Sequence, residues 1–332
     1  MRPYLCCGVA GTELSAGERD TLARLGPGGV ILFARNVMSR DQVTALVAEL
    51  HALPSRPYVA VDLEGGRVDR LRTLFGGLPS AAQAGRAGEA ATAALGRAAG
   101  ACCASLGIDV DLAPVLDVAR PGGWLAAEDR CFAATPAEVE ALAAAFVAGV
   151  EGFGVRVCLK HYPGLGSGGV DSHRDLPLLA DDVAREATTF HRLGGRGRGV
   201  MVAHALAPAL GEAWAPASLS ARIVGRLRRA HPGPVLADDL EMGALAAHGT
   251  LPERAAAAIL AGCDQVLVCN AMEDRHAVVE HLDAWQRRDA ALCRALVRAG
   301  ERVREFANAT PPPVPWGEAE RLVEEARRLA CR

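Results

Sequence analysis

Residues 154–177 read GVRVCLKHYPGLGSGGVDSHRDLP, and they hold in miniature the unit from which the whole chain is built. The apolar run 154–159 reads as a buried strand. It ends on two side chains able to bind or titrate, Lys160 and His161. A loop carrying Gly164, Gly166, Gly168 and Gly169 follows, free to fold over a ligand and move because glycine has no side-chain barrier to unusual dihedrals. That loop presents Asp171, Ser172 and His173 before Pro177 closes it and a helical pattern begins. An Asp two residues before a His on a non-helical loop can hold one ring nitrogen and leave the other for proton transfer. The plainer reading is a glycine-rich surface loop with a chance Asp and His, since short motifs recur by accident.

Working outward, the same strand–loop–helix unit repeats. Strands are expected at 4–9, 29–33, 57–62, 108–115, 155–160, 199–203, 234–238 and 265–269. The helices between and after them are expected at 16–25, 40–52, 83–106, 136–152, 181–193, 220–230, 242–261 and 275–306. Eight strand-then-helix units predict a closed α/β barrel of the TIM (β/α)8 type, as a single domain over 1–332. A doubly wound open sheet is the alternative, weakened because no G-x-G-x-x-G follows the first strand. The prolines of 311–315 interrupt the pattern, and 316–332 reads as a final helix, so 311–332 is expected to pack as an extension on the barrel's outside.

Composition narrows the function classes. The 332 residues are 50% hydrophobic, and 36 Lys and Arg stand against 39 Asp and Glu, with no basic block to follow a phosphate backbone. Nucleic acid is therefore not an expected partner. The N-terminal apolar run is too short for a signal peptide and no stretch approaches a membrane span, so a cytoplasmic protein without membrane association, and a monomer, is expected. The ten cysteines lack zinc spacing and sit mostly inside apolar patterns, which predicts buried free thiols. Cys131, in a candidate site loop, is the exception to that expectation.

The strand ends say more than the strands. In a parallel barrel the C-terminal strand ends and the loops after them share the face that carries the site. In order they hold Asp62, Asp117, Lys160 with His161, His204, Asp238 with Asp239, and Asn270. Each alone is more often a helix cap or strand terminator, Asp239 in particular; converging on one opening, they make a site. Carboxylates, His and Arg without a phosphate loop or metal spacing suit a hydroxyl-rich ligand such as a sugar. No metal or organic cofactor is expected. A carboxylate at a strand end can attack an anomeric carbon while a second group delivers and later removes a proton. Asp238, ending an apolar strand, suits the first role. His173, oriented and favoured in its charged form by Asp171, suits the second.

At this point the chain resembles family 3 of the glycoside hydrolases, and within it the bacterial single-domain β-N-acetylglucosaminidases of cell-wall recycling. The matching stretches are ILFARNV at 31–37, VDLEGGRVDRL at 61–71, DLAPVLDV at 111–118, KHYPGLGSGGVDSHRDLPLL at 160–179, MVAHA at 201–205, LADDLEMGAL at 236–245 and AGCDQVLVCN at 261–270. They run in family order from the second strand to the eighth. The K-H…D-S-H stretch separates this branch from family 3 β-glucosidases.

The resemblance implies a retaining exo-β-N-acetylglucosaminidase acting on GlcNAc-containing muropeptide fragments, such as GlcNAc linked to anhydro-N-acetylmuramic acid. It implies Asp238, rather than Asp239, as nucleophile, and Asp171 with His173 as the acid/base dyad. Asp62, Arg70, Arg130, Lys160 and His161 are implied to hold sugar hydroxyls, with Glu64 and Arg67 structural. One departure stands out. Where the family has an N-P-x-x-G-x-R-S-F pattern after the fourth strand, this chain reads RPGGWLAAEDRCF at 120–132. Arg130 and Phe132 survive; Trp124 and Cys131 are unusual there. Two rival readings stay open: a phosphorylase on the same residues, because a His acid/base does not repel incoming phosphate as a carboxylate would, and a non-catalytic sugar-binding protein.

Overall fold

The computed structural model describes residues 2–270, 272–308 and 310–331. Eight parallel strands close on themselves: β1 Arg2–Cys7, β2 Pro27–Leu32, β3 Tyr58–Val61, β4 Val110–Asp111, β5 Arg156–Tyr162, β6 Arg198–Val202, β7 Val235–Asp239 and β8 Gln265–Val268. They follow one another around the barrel in chain order, and β8 returns to β1 with Leu5 opposite Val266. This is the expected (β/α)8 architecture, and the open sheet is excluded by closure.

Side chains alternate along each strand, so the strands build two cores at once. Cys6, Ile31, Ala60, Val110, Cys158, Met201, Leu236 and Leu267 form one buried cluster, the filling of the barrel. Val30, Val59, Val157, Val200, Val235 and Val266 belong to the other, against the helices. The fourth strand is shorter than expected because Pro114 has no N–H to offer a ladder. Its neighbours still border β5: Lys160 N donates to Pro114 O at 3.1 Å and Leu116 N to Lys160 O at 2.6 Å.

Three expected helices are each divided in two. Gly88, at φ 94°, separates Ala81–Ala87 from Glu89–Leu106, a backbone shape glycine adopts at little cost. After β7 there is a single 3-10 turn, Gly243–Leu245. Gly249, at φ 87°, then precedes Leu251–Ala261, whose Thr250 and Glu253 form a capping box. Asp289 accepts from Ala291 N and Leu292 N, starting Ala290–Ala307 afresh after Asp274–Gln286. The last helix, Trp316–Ala330, stacks Trp316 on Phe75 with ring centroids 4.3 Å apart. It also pairs Glu325 with Arg97 at 2.9 Å; its expected final residue, Arg332, lies outside the described residues.

All ten cysteines are free, eight of them buried and Cys293 and Cys331 exposed. Cys131 is among the buried ones and its thiol is pushed up by burial, so its place in the loop does not make it reactive.

Candidate active site

The loop after β3 shows how the sequence shapes the site. Leu63–Gly65 pairs antiparallel with Val68–Asp69, and Gly65 and Gly66 turn the ribbon at φ 84° and 58°. A Cβ on Gly65 would lie 2.0 Å from Pro79 O, so only glycine lets the ribbon pack down. Asp69 closes the loop by accepting from Leu71 N at 3.0 Å and Leu78 N at 2.8 Å. The ribbon thereby carries Glu64, Arg67 and Arg70 to the C-terminal mouth of the barrel.

There a cavity of about 280 Å³ opens. Asp62, Arg70, Arg130, Lys160, His161, Asp171, His173 and Asp238 all line it, so the residues expected to form the site come together. Glu64, Arg67, Trp124 and Asp239 line it as well, over an apolar floor that includes Ile31, Leu112, Met201 and Leu267.

A buried charge cluster forms one wall. Lys160 Nζ lies 2.6 Å from both Asp62 Oδ1 and Glu64 Oε1. Arg130 donates Nε to Glu64 Oε2 and Nη2 to Glu64 Oε1, at 2.8 Å each. Burial opposes the Glu64 charge, but the two cations outweigh it and hold the carboxyl well below the usual range. Burial likewise opposes the Lys160 charge, and Asp62 and Glu64 overcome it, raising that ammonium above its ordinary value. Arg70 differs. Its guanidinium sits 6.0 Å from the Phe33 ring centroid, and its buried Nε has no hydrogen-bond partner among the described residues, a donor left for something in the cavity.

Two strand-end residues prove to be supports that do not line the cavity. Asp117, fully buried, accepts from His161 Nδ1 at 2.7 Å, from His161 N and from Leu165 N. It therefore sets the His161 ring and the start of the glycine-rich loop together. His204 is also fully buried, with Nδ1 2.7 Å from Ser218 Oγ and Nε2 3.0 Å from Asp239 O. Burial lowers its pKa, and the ring braces the end of β7. Asn270 accepts from Arg35 Nη1 at 3.0 Å instead of facing the cavity.

Asp238 and Asp239 end β7 and diverge electrostatically. Burial disfavours the Asp238 charge, but His204, His161, the Asp239 N–H at 2.8 Å and His173 keep its carboxyl below the ordinary value. Asp239 is pushed up to about 7 by burial and by the neighbouring carboxylates of Glu241 and Asp238. Near neutrality Asp238 is thus the more fully ionised member of the pair, Asp239 being still partly protonated.

The glycine-rich loop lies across the mouth, held on three sides. Gly168 O accepts from Trp124 N at 2.9 Å, His173 O from Gly243 N at 3.1 Å, and Pro177 O from Leu206 N at 2.8 Å. Asp171 Oδ1 accepts from His173 N at 2.9 Å and lies 2.8 Å from His173 Nδ1. The ring's other nitrogen has no hydrogen-bond partner among the described residues, as the spacing predicts. Arg67, expected to pin a loop beneath the site, stands exposed at the rim and pairs with Glu128 at 2.8 Å, tying the β3 loop to 120–132. The residue the sequence reading did not use is Trp124, which touches both Arg130 and His173; only its oddity within 120–132 marked it.

Comparison with known proteins agrees with this geometry. A protein from Alkalilimnicola ehrlichii named beta-hexosaminidase is 41% identical over 296 residues, 84% of each chain. Among solved structures, NagZ from Neisseria gonorrhoeae in complex with N-trifluoroacetyl-D-glucosamine superposes with a TM-score of 0.78 at 29% identity, covering 100% of this chain and 99% of that one. LpqI of M. tuberculosis superposes at 0.80 with 30% identity, covering 93% and 92%. Residues 8–299 match the family described as glycosyl hydrolase family 3 N-terminal domain. The chain belongs to family 3 of the glycoside hydrolases and is an enzyme that hydrolyses glycosidic bonds.

Proposed function

We propose that this enzyme is a retaining exo-β-N-acetylglucosaminidase that removes a terminal GlcNAc from peptidoglycan fragments, GlcNAc-anhydro-N-acetylmuramic acid with or without peptide among them. The observation that carries this reading is the sharing of one cavity by an ionised strand-end carboxylate, Asp238, and a histidine whose Nδ1 is held by Asp171. In the first step an Asp238 oxygen bonds to the anomeric carbon as the C1–O bond breaks, and His173 Nε2 gives its proton to the departing oxygen. In the second, the same nitrogen takes a proton from water, whose oxygen displaces Asp238 and restores the carboxylate. Asp171 holds the ring at Nδ1, 2.8 Å away, so that Nε2 is the nitrogen left for the proton transfer.

Asp62, Arg70, Arg130, Lys160 and His161 hold the sugar hydroxyls; Lys160 is aimed by Asp62 and Glu64, Arg130 by Glu64, and His161 by Asp117. A cavity of about 280 Å³, just below the roughly 300–1,000 Å³ of small-molecule sites, suits one sugar ring better than a polymer. The relatives named for hexosaminidase activity and the solved complex with a GlcNAc analogue support the choice of sugar. Among the described residues no helix is long and apolar enough to cross a membrane.

The test is hydrolysis of an aryl β-N-acetylglucosaminide beside the matching β-glucoside, in phosphate and in phosphate-free buffer. Free GlcNAc in both buffers, from the GlcNAc substrate alone, is the expected result. Sugar 1-phosphate appearing only in phosphate would assign a phosphorylase instead. Binding of GlcNAc without turnover of any β-GlcNAc glycoside would make the protein a sugar receptor.

A further inference from the structure

Trp124 touches three parts of the site at once. Its backbone N–H donates to Gly168 O at 2.9 Å in the His-bearing loop. Its ring meets that of His173 edge-on, centroids 6.3 Å apart and planes at 63°. The Arg130 guanidinium lies 5.4 Å from its ring centroid, and it lines the cavity between them. The turn that delivers it is shaped for contact, since a Cβ on Gly123 would lie 2.2 Å from Gly166 O. His173 needs such a neighbour. Its side chain is 65% exposed and, among the described residues, its one polar anchor is Asp171 at Nδ1, a single attachment about which a ring can still swing. An aromatic edge at this spacing is an attractive contact that restricts that swing.

We propose that Trp124 is the positioning residue of His173: it holds the imidazole where Nε2 can reach the departing oxygen, while its ring walls the space taken by the leaving group. This inference rests on the acid role given to His173 above. Its test uses a property that loss of a mere wall would not change, the dependence of rate on how much proton help the leaving group requires. Wild type, Trp124→Phe, Trp124→Ala and His173→Ala are compared on a series of aryl β-N-acetylglucosaminides running from dinitrophenyl, which departs without a proton, to phenyl, which does not. For Trp124→Ala the expected result is a kcat/KM, which reports only the step that forms the glycosyl-enzyme, about tenfold lower on the phenyl glycoside, an aromatic contact's worth, and nearly unchanged on the dinitrophenyl one. Trp124→Phe should restore most of the loss. Trp124→Leu supplies the same reading if Trp124→Ala does not fold.

A steep leaving-group dependence in His173→Ala with an equal loss across the series in Trp124→Ala, or with no loss, would overturn this inference alone. A flat dependence in His173→Ala would overturn the acid role of His173, and the inference with it.

Discussion

Glu64 grips Arg130 through both carboxylate oxygens, at 2.8 Å each, in a place where both side chains are buried. The pair also borders Lys160, 2.6 Å from Glu64 Oε1, so one anion holds two cations that face the cavity. Removing one partner of a buried ion pair strands the others, which costs about 3–5 kcal/mol. Glu64→Ala is therefore expected to lower unfolding stability by that order and to raise KM, because Arg130 and Lys160 lose their aim. Glu64→Gln keeps an acceptor and should fall between. Denaturant unfolding alongside steady-state kinetics measures both; an unchanged stability for Glu64→Ala would contradict the account.

The contrast between the two aspartates that end β7 makes a second prediction. Asp238→Asn should abolish turnover of an aryl β-N-acetylglucosaminide, whereas Asp239→Asn should keep a measurable part of it. Asp239 is the member pushed up to about 7 and contributes least charge at neutrality. His173→Ala should lose roughly 10²–10⁴-fold, the usual worth of a general acid. Equal losses at 238 and 239 would undo the assignment of the nucleophile.

Asp117 is expected to act on substrate affinity without touching substrate. Asp117→Asn replaces an acceptor of several N–H groups by an amide that must turn an N–H toward one of them, at a cost of about 1–3 kcal/mol. With His161 no longer fixed at Nδ1, KM should rise more than kcat falls. A fall in kcat alone, with KM unchanged, would refute this.

Glu186 predicts a pH dependence of stability. It is buried behind the glycine-rich loop, paired with Arg120 at 3.0 Å, and its Oε2 has no partner among the described residues. Burial pushes its pKa from 4.5 up to about 7, the nearby Asp117 adding to the rise and Arg120 opposing it. The folded state then binds the proton more tightly than the unfolded chain, so stability falls as pH rises from 4.5 through 7. The fall is on the order of 3 kcal/mol in total. Glu186→Gln should remove up to about 1.4 kcal/mol per pH unit from the slope within that window and leave it unaltered below. Unfolding free energies of both proteins between pH 4 and 8 give the comparison; parallel curves would show that Glu186 does not titrate there.

Much of this was legible in the chain itself. The alternation of short apolar runs with longer amphipathic stretches is a local property, and it determined the barrel. Strand ends face one mouth in any parallel barrel, so Asp62, Lys160, His161 and Asp238 could be collected before any coordinates. The D-S-H spacing likewise carried its own hydrogen bond, Asp171 to His173, because a two-residue offset needs no tertiary help. Glycines at 88 and 249 broke helices that the apolar period alone would have continued, since a positive φ leaves no mark on hydropathy.

What only the tertiary structure decided is which charges meet. Glu64 lies 66 residues from Arg130, and Asp117 44 from His161; no pattern along the chain records those distances. Asp238 and Asp239 are adjacent and chemically identical in the sequence. They part only because burial, the bracing His204 and the neighbouring carboxylates give each a different local field. Trp124 is an ordinary apolar residue in the chain and becomes the neighbour of both Arg130 and His173 through loop packing alone. Electrostatic energies and ring contacts depend on separation in space, and that separation exists only once the barrel has closed.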